Sequence, residues 1–357
     1  MNTAEKYIDL NVLSFDISVE QCFENLRPHP KFSGCTFDNY IPDERYQSQA
    51  QIKQLLQDTL MKMKMFHTAP AKQSKSLFSF MKKSAPKQDS GKPRNIYIDG
   101  SYGIGKTHLL SSCYNICQKG NKAFMSFGEM NYFFHYLGVE KCIEHFSALS
   151  LLLIDEFELD DPAMTHIMAK FFREINENTL IITTSNTLPT ELGKLRFQTD
   201  NFTKQLGEIA STFETVIVEG EDYRKRNKQW MKTVSEDSFL DTFAMYTPET
   251  KPKSKISFDN LIKILESTHP FRYFVIPEAI EAIFIDGLQP FPTLNNALRF
   301  NQLVDHCYYY NTKLFIRSSC QLSDIFPPEL IESSFQKKLL RCLSRLDELA
   351  IFYRERD

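Results

Sequence analysis

The sequence predicts a mixed α/β fold in which helices cover both faces of a parallel sheet. A glycine-rich stretch of the form G-x-x-x-x-G-K-T runs from Gly100 to Thr107, between a short apolar segment and a helical pattern. Continuous apolar runs at 149–154 and 179–184 are typical of strands that are buried on both faces. Because strands and helices alternate after the glycine-rich loop, we predict a three-layer P-loop nucleoside triphosphatase core.

The predicted elements follow one another along the chain. The N-terminal part contains a Gln-rich helical stretch, and a first strand leads into the glycine-rich loop and its helix. Further strands are predicted at 123–127, 149–154, 179–184 and 213–218, with a helix at 164–176. Beyond a polar stretch at 251–257, the patterns predict a helix at 295–309, a strand at 313–316 and a final basic helix at 335–349. A smaller C-terminal α/β subdomain therefore follows the core.

Shifts in composition divide the chain into four predicted parts. Residues 62–94 carry nine Lys or Arg residues against the single acid Asp89, interleaved with Ser, Pro and Gly, as in an exposed flexible loop. The predicted parts are an N-terminal segment (1–61), this basic loop (62–94), the P-loop ATPase core (95–250) and the C-terminal subdomain (251–357).

The basic loop has two interpretations. The segment 77–83, Leu-Phe-Ser-Phe-Met-Lys-Lys, places large apolar groups beside two lysines and suits docking on an anionic membrane surface or an acidic partner. The simpler interpretation is a solvated loop with a small hydrophobic tuck.

The composition describes an ordinary soluble protein of 357 residues, with 42% hydrophobic residues and a net charge of -3. The charge gives no reason to expect nucleic-acid binding, which usually leaves a basic domain. No apolar run approaches a membrane span of roughly 20 residues, and the N-terminus lacks an apolar signal core. The eight cysteines include no C-x-x-C pair, and Cys113 and Cys117 are spaced for packing in a helix. We expect a reduced, cytoplasmic protein.

The glycine-rich loop has the composition of a phosphate-binding site. Its glycines let the backbone approach a phosphate chain, and the N–H groups at the start of the next helix favour an anion. Lys106 is predicted to reach the β- and γ-phosphates of ATP, and the Thr107 hydroxyl to bind Mg²⁺. The residues predicted to contact ATP are Gly100, Ser101, Tyr102, Gly103, Ile104, Gly105, Lys106, Thr107 and His108.

Two acids, Asp155 and Glu156, follow the buried run 151–154. A buried carboxylate pair at a strand end is costly without a cation, so Mg²⁺ is its natural partner. Asp155 is predicted to hold Mg²⁺ through its water shell, and Glu156 to polarise the attacking water. The alternative is a pair of acids that begins a surface turn.

Asn186 follows the next buried strand. A polar residue at this strand end would lie between the γ-phosphate and the attacking water, which is the sensor position of P-loop ATPases related to the AAA+ group. The alternative is an Asn that caps the turn before Pro189. Arg196 comes ten residues later. In ring-forming ATPases an arginine in this region reaches the neighbouring subunit's nucleotide, although a lone loop arginine is usually a solvated charge.

Several motifs together resemble the ZapE family, which comprises bacterial cell-division ATPases with mitochondrial relatives. The resemblance covers residues 35–350 or so. The matching core residues are Asp155-Glu-Phe157, Asp161, Ser185-Asn186, Pro189, Arg196 and Asp222-Tyr-Arg224. Matches outside the core are Phe37-Asp-Asn-Tyr40 with Gln49, Arg299-Phe300 with Leu303, Asp305 and Tyr308, and Ser344-Arg345-Leu346.

Two positions depart from the family pattern. Ser101 replaces a glycine that is common in the family's P-loop, and Ser can adopt turn conformations. The loop 193–197 reads G-K-L-R-F where many members have G-L-Q-R, so Arg196 is the natural match for the arginine finger. Arg299 and Arg345 remain alternatives for an intersubunit or sensor role.

The resemblance implies a Mg²⁺-dependent ATPase that forms homo-oligomers and remodels or regulates a protein partner, the FtsZ division ring of bacterial cell division. It also implies a cytoplasmic location, at the division site or the inner face of the membrane. One rival hypothesis is a nucleic-acid loader or initiator ATPase, but the chain shows no basic helix-turn-helix pattern at either end. Another is a nucleotide-gated scaffold with little turnover, which Glu156 disfavours.

Overall fold

The computed structural model describes residues 7–68, 93–101, 103–117, 121–159, 162–188, 200–221, 238–333 and 335–354. Most of the predicted basic loop lies outside these residues. Among the helices of the described ranges, none has the length and apolar character needed to cross a membrane.

The described residues form nine strands and thirteen α-helices. The strands are β1 (Asn95–Gly100), β2 (Lys122–Ser126), β3 (Leu151–Asp155), β4 (Leu180–Ser185), β5 (Phe213–Val218), β6 (Lys253–Ser257), β7 (Ala282–Leu288), β8 (Lys313–Ser318) and β9 (Ala350–Arg354). The helices are α1 (Val19–Glu24), α2 (Gln47–Thr68), α3 (Lys106–Ile116), α4 (Phe127–Leu137), α5 (Val139–Ser147), α6 (Pro162–Glu174), α7 (Asp200–Ser211), α8 (Phe239–Met245), α9 (Phe258–Ser267), α10 (Val275–Ala279), α11 (Leu294–Tyr310), α12 (Pro328–Ile331) and α13 (Gln336–Leu349).

The chain divides into two compact units. The first comprises residues 26–28 and 32–226, and the second comprises residues 1–25, 29–31 and 227–357. The predicted four-part division was made on composition alone, and it stays a prediction.

The first unit is built on a five-stranded parallel sheet in the order β2-β3-β4-β1-β5. All five residues of β3 are buried, so this strand is covered on both faces of the sheet. The predicted α/β fold with a parallel sheet is confirmed. Because β4 lies between β1 and β3, the carboxyl ends of these three strands meet at one edge of the sheet, where the glycine-rich loop, the two acids and Asn186 begin.

Residues 37–63 join the core of this first unit. Phe37 and Tyr40 pack with the inner face of α2, and these side chains contact the apolar residues of β1 and α3. The helix α2 runs to Thr68, whereas the sequence pattern predicted a helical stretch from Tyr46 to Met61, so residues 62–68 of the predicted basic loop are helical. The N-terminal segment therefore contributes directly to the layer that lies next to the glycine-rich loop.

The second unit contains a four-stranded parallel sheet in the order β6-β7-β8-β9. One face packs against residues of α9, α11 and α13. The other face carries an aromatic cluster with α8, in which Phe284 and Phe315 stack with their ring centroids 4.2 Å apart. The polar stretch 251–257 contains the strand β6, whose lysines alternate with the buried Ser254 and Ile256.

Candidate nucleotide-binding site

The glycine-rich loop connects β1 to α3 in the expected strand–loop–helix order. Gly103 and Gly105 adopt positive φ angles of 72° and 88°, and Gly105 is the N-cap of α3. A Cβ atom on Gly105 would lie 2.8 Å from Cε2 of Tyr40. Glycine is therefore required there both by the backbone conformation and by the close approach of an aromatic ring.

The Lys106 ammonium group connects the loop to the end of β4. Its Nζ donates to the carbonyl oxygens of Gly100 and Ser101, at 2.6 and 2.7 Å, and to Oδ1 of Asn186 at 2.9 Å. These contacts hold the side chain folded back over the loop, with its charge next to the Asn186 amide. The two residues are 80 positions apart in the sequence, and the sheet order brings them together.

Asp155 lies at the end of β3 and is held by two threonine hydroxyls. Thr107 donates to its Oδ2 at 2.9 Å, and Thr184 of β4 donates to its Oδ1. Burial and the neighbouring carboxylate of Glu156 raise the pKa of Asp155 to about 6, although the two hydroxyls and Lys106 oppose that rise. The carboxylate therefore lies in an environment that favours a cation partner.

Glu156 has a left-handed backbone conformation, with φ of 52°. Its N–H donates to the Thr184 hydroxyl at 3.1 Å, and the next N–H, that of Phe157, donates to the Thr184 carbonyl at 2.7 Å. A non-glycine residue in this region is uncommon and needs support from its surroundings. Here β4 provides that support, and the half-buried Glu156 begins the turn beyond β3.

The segment 36–43 lies against the loop and the start of α3. The Tyr40 hydroxyl donates to the Ile104 carbonyl at 3.3 Å, and Nε2 of His108 lies 2.8 Å from Oδ1 of Asn39. Gln49 is buried, accepts from the Asp43 N–H and donates to the Glu219 carbonyl. Both polar atoms of the Gln49 amide are therefore hydrogen-bonded within the fold. In the same segment, the Ile41 side chain is 78% exposed.

Most of the predicted site residues lie together at this edge of the sheet. Outside the described residues lie Tyr102, Asp161, Pro189, Arg196 and the motif Asp222-Tyr-Arg224. Thr184, which contacts both acids, was not among the predicted site residues. The sequence does contain a pattern that could have indicated Thr184, because the buried strand β4 ends in three consecutive hydroxyl residues.

The two alternative arginines lie in the second unit and make contacts there. Arg299 donates to the carbonyls of Leu265 and Thr268 at the end of α9. Arg345 is 6% exposed and pairs with Asp305, and its guanidinium carbon lies 4.9 and 4.8 Å from the ring centroids of Tyr308 and Tyr309. Both guanidinium groups therefore already have partners within the second unit.

The donor set at the sheet edge suits MgATP. The backbone N–H groups of the loop and Lys106 are ligands for phosphate oxygens, and a hydroxyl next to a carboxylate is a hard oxygen set that suits Mg²⁺. Thr107 and Asp155, whose side chains are already in contact, would hold the ion, and the Lys106 ammonium group, which lies over the loop, would meet the phosphate oxygens.

Comparison with known proteins gives a family match over most of the chain. A family model described as AFG1-like ATPase matches residues 37–239 and 244–356. Solved structures that resemble this chain include the DnaC helicase loader, with 13% identity over 53% of this chain and 99% of that chain and a TM-score of 0.33. DnaI shows 14% identity over 56% and 98%, with a TM-score of 0.39. Domain III of the Thermotoga maritima replication initiation protein DnaA shows 16% identity over 70% and 88%, with a TM-score of 0.35. These scores are low, and no conclusion about activity or partners follows from them.

Proposed function

Because the chain belongs to the AFG1-like ATPase family, it is an ATP-hydrolysing enzyme, and we propose that it is a Mg²⁺-dependent ATPase of the ZapE type. The observation that carries this proposal is the convergence of Lys106, Thr107, Asp155 and Asn186 at one sheet edge. Three chain segments that are far apart in sequence supply a phosphate ligand, a cation site and a polar sensor to one place.

Each side chain has a defined part in the proposed reaction. Lys106 stabilises negative charge on the terminal phosphate, and Asn186, already in contact with Lys106, orients the attacking water. Glu156 accepts a proton from that water. Mg²⁺, when bound by Thr107 and Asp155, neutralises charge on the phosphate oxygens. The apolar, exposed Ile41 follows Tyr40 directly and offers a surface for the nucleobase.

The proposed partner is an FtsZ-type division protein, and the enzyme would remodel or regulate its polymer in the cytoplasm at the division site. Support comes from the ZapE-type motifs, which extend from Phe37 to Leu346. The same resemblance supports a homo-oligomer. The basic stretch 62–94 supports a peripheral contact with an acidic partner or the inner membrane face, because each lysine near an anionic surface contributes roughly 1 kcal/mol.

The test measures steady-state ATP hydrolysis with and without FtsZ polymer, and pelleting of the polymer in the same samples. Wild type, Glu156→Gln and Glu158→Gln are compared, because Glu158 is a nearby carboxylate to which we assign no role. We expect stimulated turnover and co-pelleting for wild type and Glu158→Gln. We expect co-pelleting but at least about a hundredfold slower hydrolysis for Glu156→Gln, since loss of a general base typically costs that much.

The outcomes separate the parts of the proposal. Wild-type turnover by Glu156→Gln would remove this residue as the base. Turnover that needs Mg²⁺ but does not respond to the polymer would retain the enzyme and discard the FtsZ partner. A wild type that binds MgATP without turnover would contradict the proposed activity itself.

A further inference from the structure

Thr184 contacts both acids of the candidate site, although the proposed reaction gives it no part. It is 1% exposed and lies on β4, two residues before Asn186. Its hydroxyl donates to Oδ1 of Asp155 and accepts from the Glu156 N–H at 3.1 Å. The single proton of this hydroxyl is therefore donated to the Asp155 carboxylate, and an oxygen lone pair accepts from the Glu156 backbone.

We propose that Thr184 is a positioning residue, whose hydroxyl orients the Asp155 carboxylate for Mg²⁺ and holds the backbone of Glu156 for hydrolysis. This inference rests on the proposed function, because it assigns to Thr184 a part in the same site. Thr184 itself touches neither phosphate nor water in this proposal. It acts through the two acids and connects them to the strand that carries Asn186.

The two oxygens of the Asp155 carboxylate accept hydrogen bonds from hydroxyl groups on two different elements. Thr107 belongs to α3 and contacts Oδ2, whereas Thr184 belongs to β4 and contacts Oδ1. A carboxylate that is bonded at both oxygens cannot rotate about its terminal torsion without losing a hydrogen bond. Thr184 thus fixes the plane of the carboxylate and leaves the Thr107 side for the cation.

Glu156 depends on the same residue for its backbone conformation. The left-handed φ of 52° carries a conformational cost, and the hydrogen bond to the Thr184 hydroxyl opposes it. A second bond, from the Phe157 N–H to the Thr184 carbonyl, involves only backbone atoms. A side-chain substitution at Thr184 therefore leaves the bond to Phe157 in place and removes the bond from the Glu156 N–H to the hydroxyl.

The neighbouring Thr183 provides a matched control. It lies on the same strand and is equally buried, but its hydroxyl donates only to the Ile154 carbonyl, at 2.9 Å. Thr183→Val and Thr184→Val each remove one buried hydroxyl from β4 and replace it with a methyl group of similar volume. Only the second change removes a contact to the acids.

The test uses the full chain and compares wild type, Thr184→Val, Thr184→Ser and Thr183→Val. The first readout is the Mg²⁺ concentration that gives half-maximal binding of a non-hydrolysable ATP analogue, followed by fluorescence. For Thr184→Val we expect this concentration to rise about tenfold, because a hydrogen bond to a charged group is lost. The second readout is kcat, which we expect to fall at least about tenfold while KM for MgATP changes little.

Thr184→Ser keeps the hydroxyl and should restore both quantities, whereas Thr183→Val should change neither. Thermal unfolding midpoints of the two Val variants show whether each folds. If Thr184→Val matched Thr183→Val in Mg²⁺ dependence and kcat, or if Thr184→Ser failed to restore them, the positioning role would be refuted. If the wild type bound MgATP but did not hydrolyse it, the proposed function would fail, and the Mg²⁺ titration would still decide the role of Thr184.

Discussion

Gly105 shows how a single residue can be required for two independent reasons. Its φ of 88° is costly for any residue with a side chain, and the Tyr40 ring occupies the space that a Cβ atom would need. The sequence pattern alone predicts that this glycine allows the backbone to approach a phosphate. The contact with Tyr40 depends on the N-terminal segment, because Tyr40 lies 65 residues before Gly105 in the sequence.

For Gly105→Ala we expect a thermally less stable protein, with a loss of roughly 1–2 kcal/mol from the left-handed backbone alone, and weaker ATP binding. The matched control is Gly207→Ala within α7, where nothing lies within 4 Å of the new Cβ. That change should stabilise the protein by up to about 1 kcal/mol. The two unfolding midpoints should shift in opposite directions, and a shift in the same direction would contradict the geometry of the loop.

Lys106→Ala should reduce the affinity for MgATP by at least about a hundredfold, because the group that stabilises the phosphate charge is removed. Equilibrium binding of a labelled ATP measures the effect. Lys141→Ala, on the exposed side of α5, is the control for the loss of one positive charge. Micromolar affinity retained by Lys106→Ala would contradict the assignment of the loop.

At the scale of elements, the central strands of the first sheet and β8 of the second were predictable, and the edge strands of the second sheet were not. The strands β3 and β4 are continuous apolar runs, and such runs identify buried parallel strands without knowledge of their neighbours. In contrast, β6 is rich in lysine and β9 begins directly after α13 with no turn between them. Both are edge strands, and only their pairing with β7 and β8 defines them.

Glu281, directly before β7, accepts hydrogen bonds from the turn before β6, and its carboxylate makes the stability of the second unit depend on pH. Glu281 accepts hydrogen bonds from the N–H groups of Thr250 and Glu249 and from the Tyr246 hydroxyl. Burial alone would raise the pKa of Glu281, but these hydrogen bonds outweigh it and lower the pKa to about 2. Because the folded-state pKa lies below the unfolded value, this contribution to stability is present above pH 4.5 or so and is lost as the pH falls toward 2.

Glu281→Gln should therefore lower the unfolding midpoint at pH 7, and the difference from wild type should shrink as the pH falls below about 4.5. Thermal unfolding measured over a series of pH values tests this. Glu278→Gln, at an exposed position on α10, serves as the control and should show no such dependence. A difference that stayed constant down to pH 3 would show that the carboxylate charge is not the cause.

At the scale of the whole molecule, the question is whether an arginine of one subunit completes the nucleotide site of its neighbour. Arg299 and Arg345 are engaged inside the second unit, which favours Arg196 as the residue that would complete a neighbour's site. Arg196 lies outside the described residues, so its role stays a prediction that a solution experiment can decide.

Mixing Arg196→Ala subunits with Lys106→Ala subunits should restore ATP hydrolysis, although each variant alone is inactive. In mixed oligomers, an intact arginine of one subunit faces an intact loop of the other. Glu156→Gln mixed with Lys106→Ala is the control and should stay inactive, since every site then lacks one of its own residues. Activity measured against mixing ratio tests this, and failure of the first pair to recover would indicate that Arg196 is not a shared residue.

The sequence by itself determined the parallel α/β core and the places of the glycine-rich loop, of the acids at the end of β3 and of Asn186 after β4. Each of these is a local pattern, which is recognised from the types and spacing of residues within a short stretch of sequence. Only the tertiary structure decided that Lys106 contacts Asn186, that Tyr40 packs on Gly105 and that Thr184 holds both acids. The physical reason is that these contacts depend on strand order, which brings distant segments to one edge of the sheet and leaves no periodic trace in the sequence.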